Sequence, residues 1–125
     1  MKKFTLIAFC YGFLAVLLGA FGAHGLKAHV TADSLDIWKT AVTYQMFHCL
    51  AMLILSLGRY SADRGINIAL TCFTLGVLIF SGSLYLLVLS GIRILGMVTP
   101  VGGVLLLAGW LSALVWASRK SFQNQ

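Results

Sequence analysis

The stretch FTLIAFCYGFLAVLLGAFGA runs from Phe4 to Ala23 without a charged side chain. A bilayer core about 30 Å thick is crossed by roughly 20 apolar residues rising 1.5 Å each in an α-helix. This first segment, taken to residue 26, is therefore read as a membrane-spanning helix. Lys2 and Lys3 ahead of it also fit a secretory leader. The apolar part of such a leader is only about 7–15 residues long, however. We expect an uncleaved helix, and Phe9 is too bulky to precede a lipid-modified Cys10.

Three more stretches qualify by the same measure, over residues 35–57, 66–90 and 100–118. Asp33 or Ser34 is positioned to cap the second helix. For the fourth, Thr99 is the expected cap and Pro100 the first helical residue, where its missing N–H costs nothing. The intervening segments 27–34, 58–65 and 91–98 are short, so consecutive helices must be antiparallel neighbours. The expected fold is all-α: one domain over residues 1–125, a four-transmembrane-helix up-down antiparallel bundle. Short alternating segments that would suggest a β-barrel are absent from the sequence.

Composition points the same way. Of the 125 residues 60% are hydrophobic and 10% charged, against about 25% charged in a soluble domain. A surface so poor in charge must face lipid. The net charge of +6 does not suggest nucleic acid as a partner, because the basic residues flank apolar runs, where they set orientation and meet anionic headgroups. Lys2, Lys3, Arg59, Arg64, Arg119 and Lys120 fall on one side of the expected bundle; Lys27, Lys39 and Arg93 fall on the other. The excess predicts cytoplasmic N- and C-termini. Cys10, Cys49 and Cys72 lie inside apolar segments without a CxxC spacing, which reads as three small hydrophobes.

Small residues form stripes along the helices. The first helix carries Ala8, Gly12, Ala15, Gly19 and Gly22 at alternating intervals of four and three; the fourth carries Gly102, Gly109 and Ser112, with Gly103 beside them. The third has two stripes, Thr74 with Ser81 and Cys72 with Gly76, Ser83 and Ser90, and should pack against two neighbours. Such seams let helix backbones approach closely.

The second helix is the most informative for function. At 100° per residue, Ala41, Tyr44, Gln45, Ala51, Met52 and Leu55 share a side with His48. Val42, Met46, Phe47, Leu50, Leu53, Ile54 and Leu57 occupy the other. The first side should face protein and the second lipid. His48 is the one ionisable residue expected near mid-membrane, and such residues are functional candidates. Its plainer role is a neutral imidazole hydrogen-bonded between helices. Counting depth from the outer helix ends places Tyr44, Gln45, His48, Ser81 and Tyr85 in one candidate polar cluster, with Trp110 at a similar level seeking an acceptor.

Other chemistries find less support. His24 and His48 should differ by roughly 10–15 Å in depth, too far for one haem iron. Neither Cys49 nor Cys72 has a metal-ligand spacing, so no metal or cofactor is expected. Asp33, Asp36 and Asp63 sit in loops or at helix ends, leaving no buried carboxylate for proton coupling. No nucleophile–base spacing suggests an enzyme.

Five strings carry a family resemblance: Gly19 to Gly25 (GAFGAHG), Tyr44 to His48 (YQMFH), Phe80 to Tyr85 (FSGSLY), Thr99 to Gly103 (TPVGG) and Leu107 to Trp110 (LAGW). Together they resemble the YgdD-like family of small multi-pass bacterial inner-membrane proteins, which is related to a eukaryotic transmembrane family. The resemblance extends from about Phe4 to Trp116. It implies a location in the bacterial inner membrane and a multi-pass fold, with no activity, cofactor or catalytic residue to carry over. The sequence therefore reads as a non-enzymatic accessory, assembly or oligomerising membrane protein. Its partners would be the lipid bilayer and further copies or other membrane proteins. The alternative is a small carrier or channel built on the polar layer around His48.

Overall fold

The computed structural model describes residues 2–59 and 61–123. They form four helices: α1 (Lys2–Phe21), continued by a π-helical turn (Gly22–Leu26), then α2 (Ala32–Leu57), α3 (Arg64–Ser90) and α4 (Leu95–Gln123). The four candidate spans are 25, 26, 27 and 27 residues long. At 1.5 Å per residue each measures about 38–40 Å, long enough to cross the hydrocarbon and reach into both headgroup layers.

All four helices start earlier than the sequence expectation, α1 and α3 by two residues, and in α2 and α4 the expected cap changes as well. The cap of α2 is Thr31, whose hydroxyl accepts from the Ser34 N–H at 3.2 Å; Asp33 and Ser34 already lie inside the helix. More consequentially, α4 begins at Leu95, and Thr99 and Pro100 are internal to it. Residues 95–98 are apolar and lead into the membrane, where an unpaired backbone group finds no water. Tight bonds from the N–H groups of Leu95, Gly96 and Met97 to the carbonyls of Ile92, Arg93 and Ile94 start the helix earlier. Pro100 then removes one N–H near the beginning of a long span, a loss membrane helices tolerate. The helix also ends later than residue 118, at Gln123. At the end of α3, Gly91 adopts φ +71° and closes the helix in the left-handed conformation.

The helices pack in chain order. Between α1 and α2, Thr5 meets Ser56, Gly12 meets Cys49, Gly19 meets Val42 and Gly22 meets Trp38. Between α2 and α3, Ala41 meets Ser81 and His48 meets Phe73. Between α3 and α4, Gly65 meets Trp116, Phe73 meets Gly109, Gly76 meets Leu106 and Phe80 meets Gly102. Every pairing is antiparallel. Among the described residues the backbone of α4 closely approaches only that of α3. The central pair is thus α2 and α3, with α1 laid mainly on α2 and α4 on α3.

The α3–α4 seam is the tightest. A Cβ on Gly102 would sit 2.7 Å from the Phe80 Cα; on Gly76 it would meet the Leu106 side chain at 2.6 Å, and on Gly109 the Phe73 ring at 2.6 Å. Gly103 differs, because a Cβ there would make ordinary contact with the Phe80 ring at 3.7 Å. The two stripes of α3 do face two neighbours, Ser81 toward α2 and Gly76 with Ser83 toward α4. The face assigned to lipid on α2 is narrower than the sequence suggests. Val42, Met46 and Leu53 are half-buried, and Val42 packs on Gly19, because α2 is covered on two sides.

Burial divides the bundle into halves. Phe4, Ala8, Met52, Leu70, Phe73 and Val77 form an apolar core in the half holding the start of α1 and the end of α4. The other half holds the buried polar residues Gln45 and Ser81 together with Ser83.

Candidate functional site

The polar half is organised around a side chain that the sequence reading did not single out. Trp38 is buried in the first turns of α2, and its indole N–H donates to the Leu18 carbonyl of α1 at 2.9 Å. The π-helical turn begins at Gly22, one turn beyond Leu18. A Cβ on Gly22 would fall 2.6 Å from the indole. The ring therefore requires a glycine where it crosses α1. Helix irregularities commonly arise where a side chain engages the backbone ladder. Tyr85 from α3 also packs on the indole, with ring centroids 4.7 Å apart.

From there a chain of hydrogen bonds joins three helices. The Tyr85 hydroxyl donates to Gln45 Oε1 at 2.8 Å, and Gln45 Nε2 donates to the Tyr11 carbonyl of α1 at 2.8 Å. The Tyr11 hydroxyl in turn donates to the Thr74 carbonyl of α3 at 2.7 Å. Ser81 makes a separate link, donating to the Ala41 carbonyl at 2.7 Å.

His48 lies elsewhere, facing α4. Its Nδ1 is 2.6 Å from the Tyr44 carbonyl, and the Trp110 indole N–H donates to its Nε2 at 3.0 Å. These two bonds assign the tautomer: Nδ1 carries the proton and Nε2 accepts. Phe73 and Trp110 both stand edge-on to the imidazole, at 5.3 and 6.0 Å.

The five residues expected in one cluster therefore separate into three groups. Gln45 and Tyr85 are bonded to each other and lead toward α1. Ser81 is bonded within the α2–α3 interface. His48 and Tyr44 turn toward α4, with rings stacked at 6.1 Å. Ser81 is level with Ala41, not with His48, whose neighbour on α3 is Phe73. Because α2 starts at Ala32, His48 lies deeper than a count from residue 35 suggests. Thr99, expected as a cap, instead shares a 2.6 Å hydrogen bond with Ser83 across the α3–α4 seam.

Signals for the overlooked residues exist in the sequence. Trp38, Ala41 and Gln45 recur at intervals of three and four, which places them on one helix face. Tyr11 is hidden by its apolar surroundings, although it contributes both a backbone carbonyl and a hydroxyl to the chain of bonds.

Beside His48, a lateral groove of about 450 Å³ separates α2 from α4, lined by Tyr44, His48, Phe80, Val104, Leu107 and Trp110. Tyr44 and Trp110 are 42% and 49% exposed along it, while His48 is only 6% exposed. Among the described residues no group of three or more His, Cys, Asp or Glu side chains is placed to hold a metal ion.

The model of the DUF423 family, proteins of unknown function, matches residues 18–103. The chain belongs to this family. The matched span runs from the end of α1 to Gly103 and includes Gln45, His48, Ser81, Tyr85 and Thr99. Curated relatives extend the similarity to almost the whole chain. A UPF0382 membrane protein of Staphylococcus aureus is 42% identical over 115 residues, covering 92% of this chain and 94% of its own. The UPF0382 membrane protein YwdK of Bacillus subtilis is 40% identical over 122 residues, covering 94% and 97%. That of Haemophilus influenzae is 40% identical over 120 residues, covering 96% and 95%. No solved structure matches. The chain is thus a membrane protein of an uncharacterised bacterial family with four candidate transmembrane helices.

Proposed function

We propose that the protein is non-enzymatic and works through helix packing in the cytoplasmic membrane, as an accessory or assembly factor or as a self-associating protein. One observation carries this reading: Gln45, His48, Ser81 and Tyr85 each have a hydrogen-bond partner within the chain. A carrier needs polar groups at the wall of an aqueous path, with bonding capacity for its cargo. Here the bonding capacity serves to join α1, α2, α3 and α4, as expected of interhelical glue.

The carrier reading draws on the groove beside His48. That groove opens sideways at hydrocarbon depth, however, and apart from His48 and the hydroxyl of Tyr44 its lining is apolar and aromatic. It suits a neighbouring helix or acyl chain better than water. A single-cysteine protein tests the choice. In a background with Cys10, Cys49 and Cys72 replaced by serine or alanine, Tyr44→Cys, which lines the groove beside His48, should in intact vesicles resist a membrane-impermeant maleimide applied from either side. Labelling of the folded variant would favour the carrier reading.

A further inference from the structure

At the end of the bundle remote from Trp38, the start of α3 and the end of α4 part to leave a cleft of about 640 Å³. Its mouth carries Arg64, Arg119 and Lys120 against one carboxylate, Asp63. Lys120 Nζ lies 3.4 Å from Asp63 Oδ2, which largely neutralises that pair. Neither Arg64 nor Arg119 forms an ion pair among the described residues, and both are exposed. Two guanidinium charges are therefore left at the mouth.

Below them the cleft changes character. Ile68, Leu111 and Val115 form an apolar wall, and Trp116 closes the gap against Gly65, where a Cβ would meet it at 3.0 Å. The Ser112 hydroxyl is occupied by the Gly65 carbonyl at 2.9 Å. Arg64 is the first residue of α3, and Arg119 lies about one turn from the end of α4. Since these helices exceed the hydrocarbon thickness, the arginines sit at headgroup level and the wall at acyl level.

We propose that this cleft binds one anionic phospholipid, with its phosphate between Arg64 and Arg119 and an acyl chain along Ile68, Leu111 and Val115. Guanidinium groups present paired N–H donors that match phosphate oxygens. Basic pockets between transmembrane helices are suited to anionic headgroups. A zwitterionic lipid would bring its own cation to a mouth that is already positive. A free phosphate ion would leave the apolar wall unused.

The test uses the full chain purified in an uncharged detergent, with thermal stability followed during titration with dioctanoyl phosphatidylglycerol, dioctanoyl phosphatidylcholine or inorganic phosphate. Phosphatidylglycerol should stabilise the protein at a concentration at least about ten-fold below either of the others. The double variant Arg64→Gln/Arg119→Gln should weaken that response about ten-fold or more, whereas Lys2→Gln/Lys3→Gln, which removes the same charge from the same end, should change it less than about two-fold. Leu111→Trp, which fills the wall while keeping both arginines, should also abolish the preference and serves if the arginine variant does not fold. Equal responses to the two lipids would overturn the site. So would equal losses in the two double variants, which would mean a general surface charge effect. Phosphate acting at the same concentration as phosphatidylglycerol would reduce the cleft to an anion site and overturn the lipid assignment.

Discussion

The Trp110 indole N–H donates to His48 Nε2 at 3.0 Å and thereby ties α4 to α2, two helices whose backbones do not closely approach. Because Nε2 accepts, His48 must hold its proton on Nδ1, where the Tyr44 carbonyl receives it. Nitrogen chemical shifts of ring-labelled histidine should show this tautomer for His48. Interhelical hydrogen bonds in membranes couple by about 0.6 kcal/mol on average and up to about 1.7 kcal/mol. A cycle of His48→Leu, Trp110→Phe and the double variant should return a coupling within that range. Zero coupling would mean that the bond does not join α2 to α4.

Trp38 and Gly22 should behave as a unit. Gly22→Ala places a methyl against the indole and should destabilise the protein by about 1–3 kcal/mol, the usual range for overpacking. Trp38→Phe removes the bond to the Leu18 carbonyl and part of the filled volume. In the double variant the smaller ring should admit the methyl, so the combined loss should fall clearly short of the two single losses added. Strict additivity in reversible unfolding experiments would show that the indole does not impose the glycine.

On α4, adjacent glycines should answer differently. Gly102→Ala drives a methyl into the backbone of Phe80, which cannot move aside as a flexible side chain could. Gly103→Ala meets only the Phe80 ring at van der Waals distance. The first should cost about 2 kcal/mol or more, within or above the overpacking range, and the second less than about 0.5 kcal/mol. Similar melting temperatures for the two variants would contradict the observed seam.

These contrasts explain how far the sequence could be read. Four apolar runs determine four spans because the bilayer requires a fixed length and paired backbone groups. The seam from Ala8 to Gly22 was visible for a similar reason, since close helix approach demands small residues at a regular interval. Two things were harder to see. Helix starts depend on local competition, and Pro100 marks a first turn in water but is tolerated inside a span whose earlier residues must already be helical. The polar layer depends on register between helices, where an error of three residues at the start of α2 moves His48 by about 4.5 Å. The bond from Gln45 to a main-chain carbonyl at Tyr11 leaves no trace in side-chain pattern at all.

The orientation remains a matter of charge. The start of α1, the end of α2, the start of α3 and the end of α4 share one end of the bundle, which groups Lys2, Lys3, Arg59, Arg64, Arg119 and Lys120 against Lys27, Lys39 and Arg93 at the other. From this excess the positive-inside rule predicts that both termini are cytoplasmic. A fluorescent protein fused after Gln125 should be bright and an alkaline phosphatase fused there inactive. The reverse pattern would refute the orientation.

Gly19 and Leu50 distinguish packing within the bundle from what lies outside it. A Cβ at Gly19 would already be 3.4 Å from Val42 Cγ1, so Gly19→Leu must push α1 away from α2 along a seam that also holds Ala15 and Gly12. Leu50 is 51% exposed and lines the outer wall between α2 and α4 with Phe47 and Ile54. Bulk added there by Leu50→Phe meets detergent or acyl chains. In purified protein, Gly19→Leu should lower the melting temperature by several degrees more than Leu50→Phe, whose own effect should be within about 0.5 kcal/mol. Equal losses would mean that Leu50 is packed inside a closed bundle and that this outer wall is not open. If this wall receives a second copy of the chain, Leu50→Phe should leave monomer stability intact and shift the oligomer distribution in nanodiscs. Unchanged stability with an unchanged distribution would exclude a copy at this wall and leave lipid as its neighbour.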